Sequence, residues 1–127
     1  VFKLHLLFIM NEQKIELLEY VNESEKNIFH EWLYKLKDKT ARARIRVRLN
    51  RVRLGNFGDC KSVGGGVNEL RVDYGPGYRV YFGRDESHII ILLCAGSKKS
   101  QSKDIELAKQ YWTEYKGRKY ENSYGKI

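Results

Sequence analysis

The sequence is poor in the residues from which metal centres, disulfide frameworks and hydrolytic triads are built. Among 127 residues there are two cysteines, three histidines and one proline. Cys60 and Cys94 have no CxxC spacing and no histidine pair beside them. That argues against a zinc site and does not suggest a disulfide, so two reduced thiols in a cytosolic protein are expected. His5, His30 and His88 form no Ser-His-Asp or Cys-His arrangement, and His30 and His88 are expected at the surface rather than as bases. No pair of carboxylates stands in a catalytic motif. Gly64-Gly65-Gly66 lacks the Gly-Lys-Ser/Thr ending of a phosphate-cradling loop and runs into a strand instead of a helix. Val1–Met10 is apolar but shorter than the roughly 20 residues that span a bilayer, and it has no small-residue cleavage site.

What is in excess is positive charge. Lys and Arg number 24 against 16 Asp and Glu, a formal net charge of +8, which points to a polyanionic partner, nucleic acid or acidic protein. The length allows one domain with a single core, and the 42% hydrophobic content is ordinary for a globular protein. Catalysis by such a chain rests on cations and tyrosines, with no metal and no cofactor. Arginine and lysine can hold a phosphate, stabilise a pentavalent phosphorane and, when a lysine is desolvated, move protons. Phosphodiester cleavage by a neighbouring ribose hydroxyl asks for little more.

Residues 66–83 organise the chain. Val67–Asp73 and Tyr78–Phe82 carry β-branched and aromatic residues in alternation around Tyr74-Gly75-Pro76-Gly77, which predicts an antiparallel hairpin. Val67, Glu69, Arg71 and Asp73 point one way, Asn68, Leu70 and Val72 the other. In the second strand Arg79 and Tyr81 alternate with Tyr78, Val80 and Phe82. Each strand thus offers a polar face centred on an arginine, Arg71 or Arg79.

Ahead of the hairpin, Ile15–Val21 reads as a strand and Asn22–Ser24 as the cap of a helix within Glu25–Asp38, where Ile28, Phe29, Trp32, Leu33 and Leu36 recur at helical spacing. Thr40–Leu54 alternates like a strand, yet Ala41, Ile45, Leu49 and Val52 fall on one helical stripe. A helix capped by Thr40 and ended by Gly55 is expected. Its six arginines, Arg42, Arg44, Arg46, Arg48, Arg51 and Arg53, have no acid among them and predict a docking surface for an acidic partner or phosphates. Gly55–Gly66 is expected to be a flexible entry to the hairpin. Beyond it, Gly83–Ser87 reads as a turn and His88–Ala95 as a central strand covered on both faces. Gly96–Asp104 is a lysine-bearing junction. A last helix from about Ser102 should bury Ile105, Ala108, Tyr111 or Trp112, and Tyr115, with a frayed tail past Gly117.

The order β-α-α-β-β-β-α predicts a small single α+β domain, a mainly antiparallel sheet with two N-terminal helices and one C-terminal helix. Its boundaries are expected at 14–117, with an N-terminal extension over 1–13 and a polar tail over 118–127. Met10 is either the natural start, with residues 1–9 an upstream extension, or it lies within an extra strand or docking segment. The polar hairpin face and the Ser97–Lys103 junction are expected to converge on one concave positive surface. Tyr74, Tyr78 and Tyr81 lie nearby as base-stacking platforms, of which one is expected to function.

Gly58–Phe82 followed by Ile89–Ile105 resembles the RelE/ParE superfamily of toxins, and more narrowly its phage-derived, HigB-like "addiction module killer protein" branch. The resemblance covers about Lys14 to Tyr115, and Glu69-Leu70-Arg71, Gly77-Tyr78-Arg79-Val80-Tyr81 and Gly96-Ser97-Lys98-Lys99 are its specific parts. It implies a compact sheet with two N-terminal helices and a type II toxin neutralised by a cognate antitoxin. In the RelE-like branch it also implies metal-independent cleavage of mRNA in the ribosomal A site, which inhibits translation. The ribosome and mRNA would then be partners, and no membrane. By motif, Arg79 matches the phosphate-binding arginine, Arg71 a basic position on the preceding strand, and Lys98 or Lys99 the basic residue after the final strand. Lys61, Lys103, Tyr78 and Tyr81 are the expected RNA contacts, and Arg44, Arg48 and Arg51 the expected antitoxin contacts. Where many RelE-type members carry a tyrosine or histidine past the junction, this chain has Lys103-Asp104-Ile105, so no general base is assigned. A cationic face without a base also fits the ParE branch, whose members inhibit DNA gyrase and cleave nothing. A basic RNA-binding module is the third reading.

Overall fold

A computed structural model describes residues 15–124, so the expectations for Met10 and for an extension over 1–13 lie outside the described residues. The elements are β1 (Glu16–Glu19), α1 (Ile28–Lys35), α2 (Lys39–Arg53), β2 (Cys60–Gly64), β3 (Val67–Val72), β4 (Tyr78–Asp85), β5 (Ile89–Ser97), a 3-10 turn (Lys98–Ser100) and α3 (Gln101–Tyr124). The sheet runs β1-β5-β4-β3-β2. Each neighbouring pair from β2 to β5 is antiparallel, while β1 lies parallel to β5 with Glu16 opposite Ile89. The result is an α+β domain with a mixed five-stranded sheet and three helices.

The sheet is covered on both faces, so its alternation sorts apolar residues into two cores. Leu70, Val72, Val80, Phe82, Ile90, Leu92 and Ala95 pack under α1 and α2. Val67, Tyr81, Ile91, Leu93 and Cys94 pack under α3. Leu93 and Cys94 share a face because the register slips where Tyr81 faces Cys94 and Phe82 faces Leu92.

The ambiguous arginine-rich stretch is a helix, and its stripe Ala41, Ile45, Leu49 and Val52 is buried as expected. The cap is Asp38 instead of Thr40, its side chain accepting from the N–H groups of Thr40 and Ala41. Gly55, at φ +86°, closes the other end: its N–H donates to Val52 O and that of Asn56 to Arg51 O, a Schellman closure that favours glycine. Asp38→Ala should destabilise the domain by about 1 kcal/mol, read as a shift in urea midpoint at unchanged slope. In α1 the cap is Asn27, which accepts from His30 N; Asn22, expected there, accepts instead from Ser24 N and Lys26 N.

Gly55–Gly66 is not a flexible entry. It contains β2, which pairs with β3 from Cys60 opposite Leu70 to Gly64 opposite Val67. Gly66 then makes room for a neighbour, since a Cβ there would lie 2.6 Å from Trp112 Nε1.

α3 also differs from expectation, continuing past Gly117 to Tyr124. It buries Ala108, Tyr111 and Trp112, so both aromatic alternatives are core residues, and Ile105 and Tyr115 pack beside them. Arg118 lies over the Tyr20 ring, and Lys119 Nζ donates to the Asp85 carboxylate at 2.6 Å and 2.7 Å. Tyr115 OH donates to Asp85 Oδ2 at 2.6 Å. The Lys119 and Tyr115 donors hold the Asp85 carboxyl below its ordinary range. An acid lowered in the folded state stabilises above its unfolded pKa, about 4, and that contribution disappears as pH falls through the folded value. Asp85→Asn should therefore lower the melting temperature at pH 7 and flatten its decline as pH falls below about 4. Parallel melting curves for both proteins across that window would contradict it.

Candidate functional site

The cross-strand register builds a polar patch under the start of α3. One row runs Lys61, Glu69, Tyr81, Cys94 across β2 to β5, and the next places Arg71 opposite Arg79 and Arg79 opposite Gly96. Directly opposed residues share a face, so Lys61, Glu69, Arg71, Arg79 and Tyr81 all lie on the α3 side. This is the face read from the sequence, but the middle of it is buried.

Glu69 is 0% exposed. Its Oε1 accepts from Arg71 Nε at 3.0 Å. Its Oε2 accepts from Tyr81 OH at 3.0 Å and from Gln101 Nε2 at 2.9 Å. Burial alone would raise the carboxyl pKa; the donors Gln101, Arg71 and Tyr81 and the Arg79 charge reverse this and hold it below the ordinary range. Arg79 Nε sits 3.7 Å from Oε2, and the Arg79 side chain is 12% exposed. Its Nε and Nη1 are buried with no hydrogen-bond partner.

The hairpin tip brings Arg79 to the junction lysines. Lys98 N donates to Gly77 O at 2.8 Å. A Cβ at Gly77 would lie 3.8 Å from Arg79 Nη1 and 3.9 Å from Lys98 Cβ, so both side chains flank that glycine. Lys98, Lys99 and Lys103 are exposed, on the 3-10 turn and the first turn of α3. Lys61 is exposed on the edge strand β2. Asp104 and Ser100 cover Gly96, where any Cβ would overlap both. Burial pushes the Asp104 carboxyl up, against the Ser100 hydroxyl that it accepts from.

Several expected contacts belong elsewhere. Tyr81 is fully buried, its ring in the core and its hydroxyl spent on Glu69, so it offers no surface to a base. Burial and the Glu69 carboxylate push its phenol far above the ordinary value, which removes it as a proton carrier near neutral pH. Tyr78 is 7% exposed and lies on the opposite face, edge-on to Trp32. Arg44, Arg48 and Arg51 do come together, lining one groove between α2 and β3 with Val47. Arg48 is committed inside it: Nη2 donates to Phe57 O, Asp59 O and Arg71 O at 3.0–3.3 Å. Arg44 is exposed and stacks on Tyr74, 4.7 Å from the ring centroid.

Glu69 and Gln101 are the residues that reading the sequence for cations passes over. The signal for Glu69 was present, an acid two residues before Arg71 on the same face of a strand. Gln101 carried none, since only the turn into α3 brings it to β3.

Among the described residues no group of three or more His, Cys, Asp or Glu gathers as a metal site. None of their helices is long and apolar enough to cross a membrane. Cys60 and Cys94 are free thiols, and burial pushes that of Cys94 up to about 12.

A protein of Haemophilus influenzae, described as uncharacterized, is 52% identical over 81 residues, 64% of this chain and 82% of that relative. The model of the family "Phage derived protein Gp49-like" matches residues 31–113, from α1 through β2–β5 into α3 and across the whole patch around Glu69. The chain belongs to this Gp49-like family, which is associated with the toxins of toxin–antitoxin systems and so implies a cognate antitoxin as partner.

Proposed function

We propose that the protein is a RelE-like toxin of the HigB-like branch that cleaves ribosome-bound mRNA without a metal. The observation that carries this reading is Arg79, a guanidinium with Nε and Nη1 buried and unpartnered, flanked at Gly77 by Lys98. Orphaned buried donors cost roughly 1–3 kcal/mol each, and such unsatisfied groups call for a functional account. A phosphate oxygen drawn between Arg79 and Lys98 would satisfy Nη1, the donor beside Gly77. The ribose 2′-hydroxyl gives up its proton as its oxygen attacks phosphorus, the bond to the 5′-oxygen breaks with that oxygen taking up a proton, and a 2′,3′-cyclic phosphate and a 5′-hydroxyl result. Arg79 and Arg71 bear on the charge that grows on the phosphoryl oxygens. Lys98 or Lys99 stabilises it further or transfers a proton. Lys61 and Lys103 rim the site and track the RNA backbone.

Primer extension on a defined mRNA in a reconstituted translation reaction tests this reading. New 5′ ends inside ribosome-occupied codons are the expected result. Their absence, from folded protein that still arrests growth, would overturn it.

The burial of Tyr78 and Tyr81 favours one other reading, because it withdraws two expected base platforms. In that reading the cationic face is a protein interface on DNA gyrase, as in the ParE branch, and loss of supercoiling in a purified assay is its signature.

The antitoxin is proposed to bring an acidic segment to the groove of Arg44, Arg51 and Val47. Opposite charges across such an interface set association rate and specificity. Arg44→Glu with Arg51→Glu should keep toxicity and weaken antitoxin binding at least about tenfold. Undiminished protection from growth arrest would refute that assignment.

A further inference from the structure

We infer that Glu69 is a positioning residue: its buried carboxylate tethers Arg79 without hydrogen-bonding it, because Tyr81 and Gln101 already occupy the oxygen that Arg79 faces. The inference deepens the proposed phosphate site and rests on that reading.

Glu69 is the one fully buried charged residue among the described residues, and four side chains from β3, β4 and α3 converge on it. Nothing in a purely structural ion pair calls for that arrangement, since buried pairs are weak stabilisers compared with apolar packing. The pairing is also uneven. Arg71 has a direct bond to Oε1 at 3.0 Å, whereas Arg79 stops 3.7 Å from Oε2. Oε2 already accepts two full hydrogen bonds, from Tyr81 and Gln101. With that oxygen occupied, Arg79 cannot close into the two-pronged carboxylate pair that arginine prefers. It is held by charge in a fixed place, and Nη1, on the side of Gly77 and Lys98, remains unspent for an incoming oxyanion. Two cations share one carboxylate, so a net positive charge is left for the phosphate.

The arrangement predicts effects of opposite sign. Gln101→Leu with Tyr81→Phe frees Oε2, lets Arg79 collapse onto Glu69, and should weaken phosphate binding about tenfold. Glu69→Gln removes the tether and the competing charge. That variant should bind phosphate at least as tightly as the wild type and still lose on the order of a hundredfold in single-turnover cleavage, because the arginine is no longer aimed at the transition state. A structural role would move affinity and rate together.

The test uses the full chain with inorganic phosphate and a short 2′-O-methyl RNA as probes. Arg79 Nε–Hε is followed by NMR, beside single-turnover cleavage of ribosome-bound mRNA. Unchanged affinity in Gln101→Leu/Tyr81→Phe, or a parallel loss of affinity and rate in Glu69→Gln, would overturn the inference. Should Glu69→Gln fail to fold, the double variant decides alone. If the wild type cleaves nothing, the interferase reading falls, while the phosphate titrations still decide the role of Glu69.

Discussion

Arg79→Ala should abolish cleavage of ribosome-bound mRNA, a loss on the order of a hundredfold or more in rate, while the protein stays folded. The size follows from removing a fixed donor from charge that develops in the transition state. Folding should survive because Glu69 keeps Arg71, Tyr81 and Gln101 as partners when Arg79 is truncated. Arg79→Lys should not rescue activity, since an ammonium on a flexible stem lacks the planar fork that meets two phosphate oxygens at once. The measurement is single-turnover cleavage beside a melting curve. A variant retaining most of the wild-type rate would remove Arg79 from the chemistry, and one that unfolds would make it a structural residue.

Trp112→Ala should be the most destabilising truncation on the α3 side of the sheet, costing about 3–5 kcal/mol. That is a large part of the roughly 5–15 kcal/mol by which such domains are stable. The indole is 5% exposed, stacks on Tyr115 with 5.4 Å between centroids, and lies over two glycines. A Cβ at Gly83 would overlap its six-membered ring, and one at Gly66 would press on Nε1. Gly83→Ala should therefore cost about 1–3 kcal/mol through overpacking. The double variant should cost less than the sum, because removing the ring frees the space that the methyl needs. Urea unfolding of the four proteins checks this, and strict additivity would show that the two sites do not share that space.

Much of this architecture can be read along the chain. The hairpin needed only the alternation of Val67–Val72 and Tyr78–Phe82 around a Gly-Pro-Gly turn. The stripe of Ala41, Ile45, Leu49 and Val52 settled a stretch that alternates like a strand, because an arginine face costs little when it is exposed. β2 escaped notice for a physical reason. As an edge strand over Cys60–Gly64 its outer residues stay in water, so no apolar alternation marks it, and its glycines serve the following turn. α3 runs beyond Gly117 because Arg118 and Lys119 find partners on Tyr20 and Asp85, contacts with no local signature.

The candidate site divides along the same line. Local sequence determined which residues carry charge, which face of the hairpin they share, and that Arg71 and Arg79 sit at its centre; period-two side-chain alternation does this without any tertiary contact. Only the tertiary structure decided that Glu69 is buried, that Tyr78 and Tyr81 are core residues, and that Gln101 closes the patch. Each of those depends on helices packing on both faces of the sheet. A polar face read from one strand is exposed only until another element covers it, and the folding of α3 against β3, β4 and β5 turned an exposed row of charges into a buried carboxylate with an arginine held beside it.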